Sequence, residues 1–197
     1  MSTPNFPLDI EQGADFINTF HWYAGGKSMA PIEDIQIGYP TRIKVTGHGL
    51  PSVSDTPVII SGVDGLRDIN STDLGIEEAI YVDANYFDMP ISSVGETWVI
   101  GTGEITWHTP TNITGFTARM QIRAKKYSSS FIHELTTENG GITLTVADAS
   151  IALSIPAATT AGFAFVGAWY DIELIGPGGD ITRVVEGELT LIREVTR

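Results

Sequence analysis

The chain has 197 residues, no cysteine and a formal net charge of −13 at pH 7. The missing cysteine excludes disulfides, thiolate metal sites and a cysteine nucleophile. With 11 Lys and Arg against 24 Asp and Glu, a nucleic-acid backbone is excluded as a partner, because such binding needs clustered cations. The length has room for one large or two small domains. Counts of 21 Gly and 10 Pro suit a turn-rich β protein. No run approaches the roughly 20 apolar residues of a membrane helix. The start, Met1 to Pro7, lacks the basic end and apolar stretch of a signal peptide, so synthesis in the cytoplasm without a membrane partner is expected.

In chain order, residues 1–7 contain Pro4, Phe6 and Pro7 and predict an extended arm that orders on a neighbouring subunit. From Leu8 to Tyr23 the pattern is strand-like, with Phe16, Phe20 and Trp22 on one parity. Ala24 to Ser28 then breaks the strand. Between Ile35 and Pro110 the texture changes to short β-rich runs between Gly, Asp and Asn turns. Strands are predicted around Arg42–Thr46, Pro57–Ser61, Ala79–Val82 and Tyr86–Met89, a spacing that suggests a small barrel or compact sandwich. Residues 34–104 carry eleven acids and three bases, a local net of −8.

The stretch Asn112–Arg123 shows the plan of the rest. Ala118, Met120 and Ile122 alternate with Thr117, Arg119, Gln121 and Arg123, which marks a strand with one buried and one wet face. Lys125 to Ser130 reads as a loop and Phe131–Leu135 as a strand. Ile142–Val146 and Ile151–Ile155 alternate cleanly. Pro156 to Phe163 is the one helix candidate, with Pro at its first position. Tyr170, Ile172 and Leu174 alternate with Asp171 and Glu173. The run Gly176–Asp180 makes a hairpin, and the return strand puts Val185, Leu189 and Leu191 on one face. About seven strands of this kind are the usual number for an immunoglobulin-like sandwich.

Several of these phrases carry a resemblance. Leu8 to Phe16, Thr111 to Arg123, Leu135 to Leu144, Tyr170 to Leu174 and Glu194 to Arg197 together resemble a family of small tailed-bacteriophage virion proteins. They look like the immunoglobulin-like N-terminal module of baseplate and tail proteins. In that module the "Glu-Gln-Gly" strand is followed within about a dozen residues by the "Thr-Ala-Arg-Met-Gln-Ile-Arg" strand. Here nearly ninety residues separate Tyr23 from Asn112, which predicts an insertion. The phrases Ile43–Leu50, Val58–Leu66, Ile69-Asn70 and Tyr81–Met89 resemble a second module, the small β-barrel named for the first catalytic cysteine half-domain of ubiquitin-activating enzymes. It also recurs in phage tail proteins, and a chain without cysteine cannot carry the chemistry of its name.

The expectation is therefore an all-β chain, an immunoglobulin-like β-sandwich interrupted by an inserted small β-barrel. The predicted arm spans 1–7, the sandwich 8–33 plus 105–197, and the barrel 34–104. The resemblance implies a non-enzymatic structural protein of the virion, in the tail, baseplate or head-to-tail region, that assembles with other virion proteins and with copies of itself. A host receptor or carbohydrate-binding module, or a capsid decoration protein, is the alternative.

No catalytic, cofactor-binding or metal-binding residues follow from motif. His21, His48, His108 and His133 are scattered, and His48 between two glycines reads as part of a tight turn. The acids Asp64, Asp68, Asp73, Glu77 and Glu78 fail the EF-hand pattern and read as a solvated loop. Trp98 and Trp107 either stack on a sugar ring or cap the core at the domain junction. The basic group Arg123, Lys125 and Lys126 is too small for a nucleic-acid surface and suits an acidic protein neighbour.

Overall fold

The computed structural model describes residues 3–23, 26–52, 56–66, 68–70 and 77–195. The chain divides into two compact units, Met1–Trp22 with Asn112–Arg197, and Tyr23–Thr111. Strands β1 (Leu8–Glu11) and β2 (Phe16–His21) open the first unit. The second contains β3 (Lys27–Pro31), β4 (Asp34–Gln36), β5 (Thr41–Lys44), β6 (Thr56–Ser61), β7 (Glu77–Tyr81), β8 (Tyr86–Met89) and β9 (Glu104–His108). The first unit then resumes with β10 (Thr117–Arg123), β11 (His133–Thr136), β12 (Ile142–Thr145) and β13 (Ser150–Ile155). A single helical turn, α1 (Ala157–Thr160), precedes β14 (Gly167–Ile175) and β15 (Ile181–Ile192).

The first unit is a sandwich of a five-stranded sheet, β1-β15-β14-β10-β11, and a three-stranded sheet, β12-β13-β2. β1 runs parallel to β15 and every other pairing is antiparallel. The alternation in the sequence explains the layering. Ala118, Met120 and Ile122 of β10 and Ile172 and Leu174 of β14 meet Ile151, Leu153 and Ile155 of β13 in one core. β2 and β10 sit in opposite sheets and contribute to that same core, Phe16 from one and Met120 from the other. The inserted residues fall in the connection between them.

The predicted arm is part of this sandwich. Asn5 bridges Glu186 in the register that β1 continues, since Leu8 lies opposite Leu189. The Phe6 N–H donates to the Glu186 carbonyl at 2.8 Å, and Tyr170 Oη donates to the Phe6 carbonyl at 2.7 Å. A Cβ at Gly187 would collide with that carbonyl, so only glycine admits the arm at this point. The expectation of an arm that orders on a neighbouring subunit is thus corrected for the described residues 3–7: backbone bonds to β15 and a Phe6–Phe20 edge contact with the facing sheet tie them to their own sandwich.

In the second unit seven strands lie in the order β3-β9-β6-β7-β8-β5-β4. The two end strands are consecutive in sequence. Between them, the Ile32 N–H donates to the Gly103 carbonyl at 3.0 Å, next to β9, while the Glu33 N–H donates to Lys44 of β5 at 2.9 Å. One bent strand over 27–36 therefore pairs with both sides of the sheet and closes it into a small barrel, which removes its open edges. Ile32 at the bend is buried, with Ile43, Ile60, Phe87, Met89 and Ile105 filling the interior.

That closure moves the expected domain boundaries. Residues 27–33 and 105–111 were expected in the sandwich, yet β3 and β9 pair with each other along their length and belong to the barrel. Lys27 lies opposite His108, and the Ser28 and Thr109 hydroxyls are 3.1 Å apart, so the inserted unit begins and ends at one place. A domain with adjacent termini can be inserted in a loop without distorting its host. The helix is also shorter than predicted. Pro156 stands at its N-cap, and Asp15 supplies the acceptor for the Ala157 N–H at 2.7 Å.

Candidate functional site: a charged groove on the sandwich

The wet faces of β10, β14 and β15 lie side by side, and register decides which charges meet. Arg119 is opposite Glu173, which is opposite Arg183. Gln121 is opposite Asp171, which is opposite Glu186. Arg123 is opposite Trp169, which is opposite Glu188. A β-bulge helps to build this array. Ile172 pairs with Val185 but Glu173 pairs with Arg183, so Val184 is skipped and Arg183 turns to the same face as Glu173.

The loop 124–132 borders the face on one side. Arg123 holds it by donating to the Ser128 carbonyl, and Lys126 reaches Glu186 at 2.8 Å with its ammonium 5.5 Å from the Trp169 ring centre. A groove of about 480 Å³ results, lined by four bases (Arg119, Arg123, Lys126, Arg183), three acids (Asp171, Glu173, Glu186), Trp169 and Tyr127 among others. This volume is within the usual range for ligand clefts of about 300–1,000 Å³.

Within the groove most charges are matched. Arg119 donates to Glu173 at 2.7 Å, and Arg183 lies 3.0 Å from Asp171 and 3.4 Å from Glu173. The Arg119 hydrogen bond holds the Glu173 carboxyl below the usual range, and the same contact raises the Arg119 guanidinium. Asp171, two residues away on the same strand face, goes the other way. Burial pushes its carboxyl up, and the Arg183 charge opposes that only in part. Arg123 differs from the other three bases. Its guanidinium donates to the Ser128 carbonyl and the Gln121 side-chain oxygen, and its charge acts on the Asp171 carboxyl against the effect of burial.

Of the residues singled out from sequence, Arg123 and Lys126 line this groove, and Lys125 is exposed on the loop between them and β11. Pro4, Phe6 and Pro7 belong to the ordered arm; Pro4 and Phe6 also line a small apolar cleft of about 190 Å³ with Phe20 and Trp22. The two tryptophans do not form an exposed pair. Trp107 is 7% exposed in the barrel core, and Trp98 packs against the same core while its indole N–H donates to the Thr102 carbonyl at 3.1 Å. Of the two readings held for them, the geometry favours core packing.

His48 is 2% exposed and bound on both nitrogens. Nε2 lies 2.9 Å from the Asp83 carbonyl, and Nδ1 accepts from the Leu50 N–H at 3.0 Å. This fixes the neutral tautomer with the proton on Nε2 and makes His48 a loop staple. Asp64 and Asp68 are exposed, whereas Asp73 and the Glu77 side chain lie outside the described residues. Among the described residues no group of three or more His, Asp or Glu is placed to hold a metal ion.

Sequence reasoning missed Arg119, Trp169, Asp171, Glu173, Arg183 and Glu186 as members of one site. The alternation put Arg119, Asp171 and Glu173 on wet strand faces, which was the available signal. Register and the bulge at Val184 bring them together, and neither is written in a local pattern. No protein-family model matches the chain, and no curated protein matches it.

Proposed function

We propose that this protein is a non-enzymatic structural component of a tailed-bacteriophage virion, in the tail, baseplate or head-to-tail region. It works by assembly with other virion proteins and with copies of itself, and it is made in the cytoplasm of the bacterial host. One observation carries the reading. The phrases that resemble the baseplate module, Leu8–Phe16 and Thr111–Arg123, place β1, β2 and β10 in one sandwich despite the long separation. Those that resemble the second module, Ile43–Leu50, Val58–Leu66 and Tyr81–Met89, fall together in the barrel. Each resemblance thus maps onto one compact unit. The charged face of the sandwich suits assembly, because charges that face each other across an interface fix orientation and register more than they add affinity.

The test is quantitative mass spectrometry of purified, salt-washed particles. The protein is expected at a fixed copy number relative to the major tail and capsid proteins. Its absence from washed particles, with binding to host cells by the free protein, would replace this reading with the receptor-binding one.

A further inference from the structure

The three-stranded sheet of the sandwich ends at β2 in an edge that lacks the usual protection. The Trp22 N–H donates to the Ala149 carbonyl at 3.0 Å, so the antiparallel ladder to β13 takes the even-numbered residues of β2. The backbone groups of Ile17 and Thr19 therefore point outward, and among the described residues they have no partner. Edge strands are ordinarily kept from pairing by charge, proline, a bulge or shortness. β1 has two acids in four residues, and β11 and β12 have four residues each. β2 runs for six residues without Asp, Glu, Lys, Arg, Pro or a register shift, and it leaves Ile17 74% exposed. We propose that β2 pairs antiparallel with β2 of a second copy of this chain, across a two-fold axis at Asn18. This rests on the assembly reading above and names the surface through which copies meet.

Asn18 selects that partner. It shares the parity of Phe16, Phe20 and Trp22, is half-buried, and lines a cleft of about 380 Å³ beside the edge. Among the described residues its carboxamide has no hydrogen-bond partner. A carboxamide carries both donor and acceptor, so two of them related by a two-fold axis satisfy each other. In that register Ile17 lies opposite Thr19 of the second copy, and Thr19 opposite its Ile17. Their outward backbone groups then complete the ladder, and β-branched side chains meet on the wet face. Charge favours the same geometry. The chain has a net charge of −13, and Asp9, Glu11 and Asp15 border the cleft at the Phe16–Asn18 end of β2. A parallel copy, or an acidic strand from another protein, would set like charges together there. Antiparallel pairing sends the two acid-bordered ends apart, with the Asp15 positions roughly 20 Å distant at about 3.4 Å per residue. That is beyond the screening length of about 8 Å at physiological ionic strength.

Sedimentation equilibrium of the full chain is the test. Wild type is expected to dimerise in the submillimolar range, and more readily with added salt, because screening weakens the repulsion between two acidic copies. Amide hydrogen exchange at Ile17 and Thr19 should slow as the dimer forms. Thr19→Pro removes an outward N–H and no bond to β13, and is expected to abolish the dimer. Ile17→Lys, at an exposed position, sets two lysines diagonally across the axis and should weaken the dimer by about tenfold or more. Thr143→Lys on β12, at the other edge of the sheet, should leave it unchanged. Asn18→Asp should lose the dimer at neutral pH and regain it in acid, where the paired carboxyls take up a proton. Unaltered strand amide shifts in Ile17→Lys will show that the sandwich is intact. The proposal is overturned if wild type stays monomeric at millimolar concentration, if Ile17→Lys associates as tightly as wild type, or if the slowed amides lie outside β2. A monomer present at fixed copy number in washed particles would overturn this contact alone and leave the virion assignment standing. A β2 dimer of a protein absent from the particles would uphold the contact and strike the virion assignment.

Discussion

The sandwich and the barrel close their sheets in different ways, and their polar residues follow suit. In the sandwich, β1 near the start of the chain adds in parallel to β15 near its end, so the fold is held by pairing between distant segments. In the barrel a single bent strand serves both edges, pairing with β5 nearby in sequence on one side and with β9 at the far end of the unit on the other. The sandwich core is apolar, with Phe16, Phe163 and Tyr170 among its aliphatic side chains and Ser150 and Thr160 as the buried polar residues among those described, and its array of ion pairs lies outside on one sheet face. The barrel instead buries Thr41, His48, Thr56, Asp88 and Ser93. Thr41 Oγ1 reaches the Ile91 carbonyl and Ser93 Oγ, both at 2.9 Å, while Arg42 grips Asp88 through two bonds of 2.7 and 2.9 Å. A small barrel has little interior and long connections, so side-chain hydrogen bonds stand in for missing apolar area. The larger sandwich can leave its ionic groups to a surface role.

The comparison breaks most visibly if the two cores do not carry their units. Met120 in the sandwich and Ile43 in the barrel are both fully buried. Replacement of either by alanine is expected to cost about 2–5 kcal/mol in its own unit, from lost transfer energy plus the cavity. Amide hydrogen exchange reads this directly, in β10 and β14 for Met120→Ala and in β5 and β8 for Ile43→Ala. Exchange rates that stay at the wild-type level in those strands would mean that the core has been misassigned.

The next effect separates the two designs. His48→Ala removes the acceptor of the Leu50 N–H and the donor to the Asp83 carbonyl, both in the barrel. Leaving such groups unpaired costs about 1–3 kcal/mol, beyond any cavity. The melting temperature of the protein is expected to fall. A variant as stable as wild type would show that these loops do not depend on their polar staple.

How much of this was legible follows from range. The strand at Thr117–Arg123 was read correctly because period-two alternation is a local signal, and Ala118, Met120 and Ile122 are buried as it requires. The small barrel was legible from its short runs, but its limits were not. Met29 and Ala30 alternate weakly, and only pairing with Thr106 and Ile105 shows that they are barrel residues. The arm was misread because its anchors, Tyr170 and Gly187, are more than 160 positions away in the chain. In the groove, Arg123 and Lys126 were visible as a basic group, while their carboxylate surroundings depend on a three-strand register. No local pattern carries that information.

The smallest expected effect is also the sharpest test of the sandwich face. In free side chains the aspartate titrates slightly below the glutamate, at about 3.9 against 4.3. In the groove the order is expected to invert, because burial raises Asp171 while the Arg119 hydrogen bond lowers Glu173. The signs for stability then oppose each other. Glu173 contributes stability above its unfolded value, and this is lost as pH falls through its depressed folded value. Asp171 carries a desolvation penalty at neutral pH, and protonation relieves it as pH falls through its raised folded value. Acidification should therefore first relieve the sandwich slightly and only then destabilise it. In the barrel, Glu33 is lowered chiefly by the Thr46 N–H, then by the Thr46 hydroxyl and Lys44, and can only lose its contribution in acid. Carbon-detected carboxyl titration will give the order directly, and Arg119→Gln should bring Glu173 back up toward Asp171. If Glu173 titrates above Asp171 in the wild-type protein, the ion array drawn from the register of β10, β14 and β15 is not the one that forms in solution.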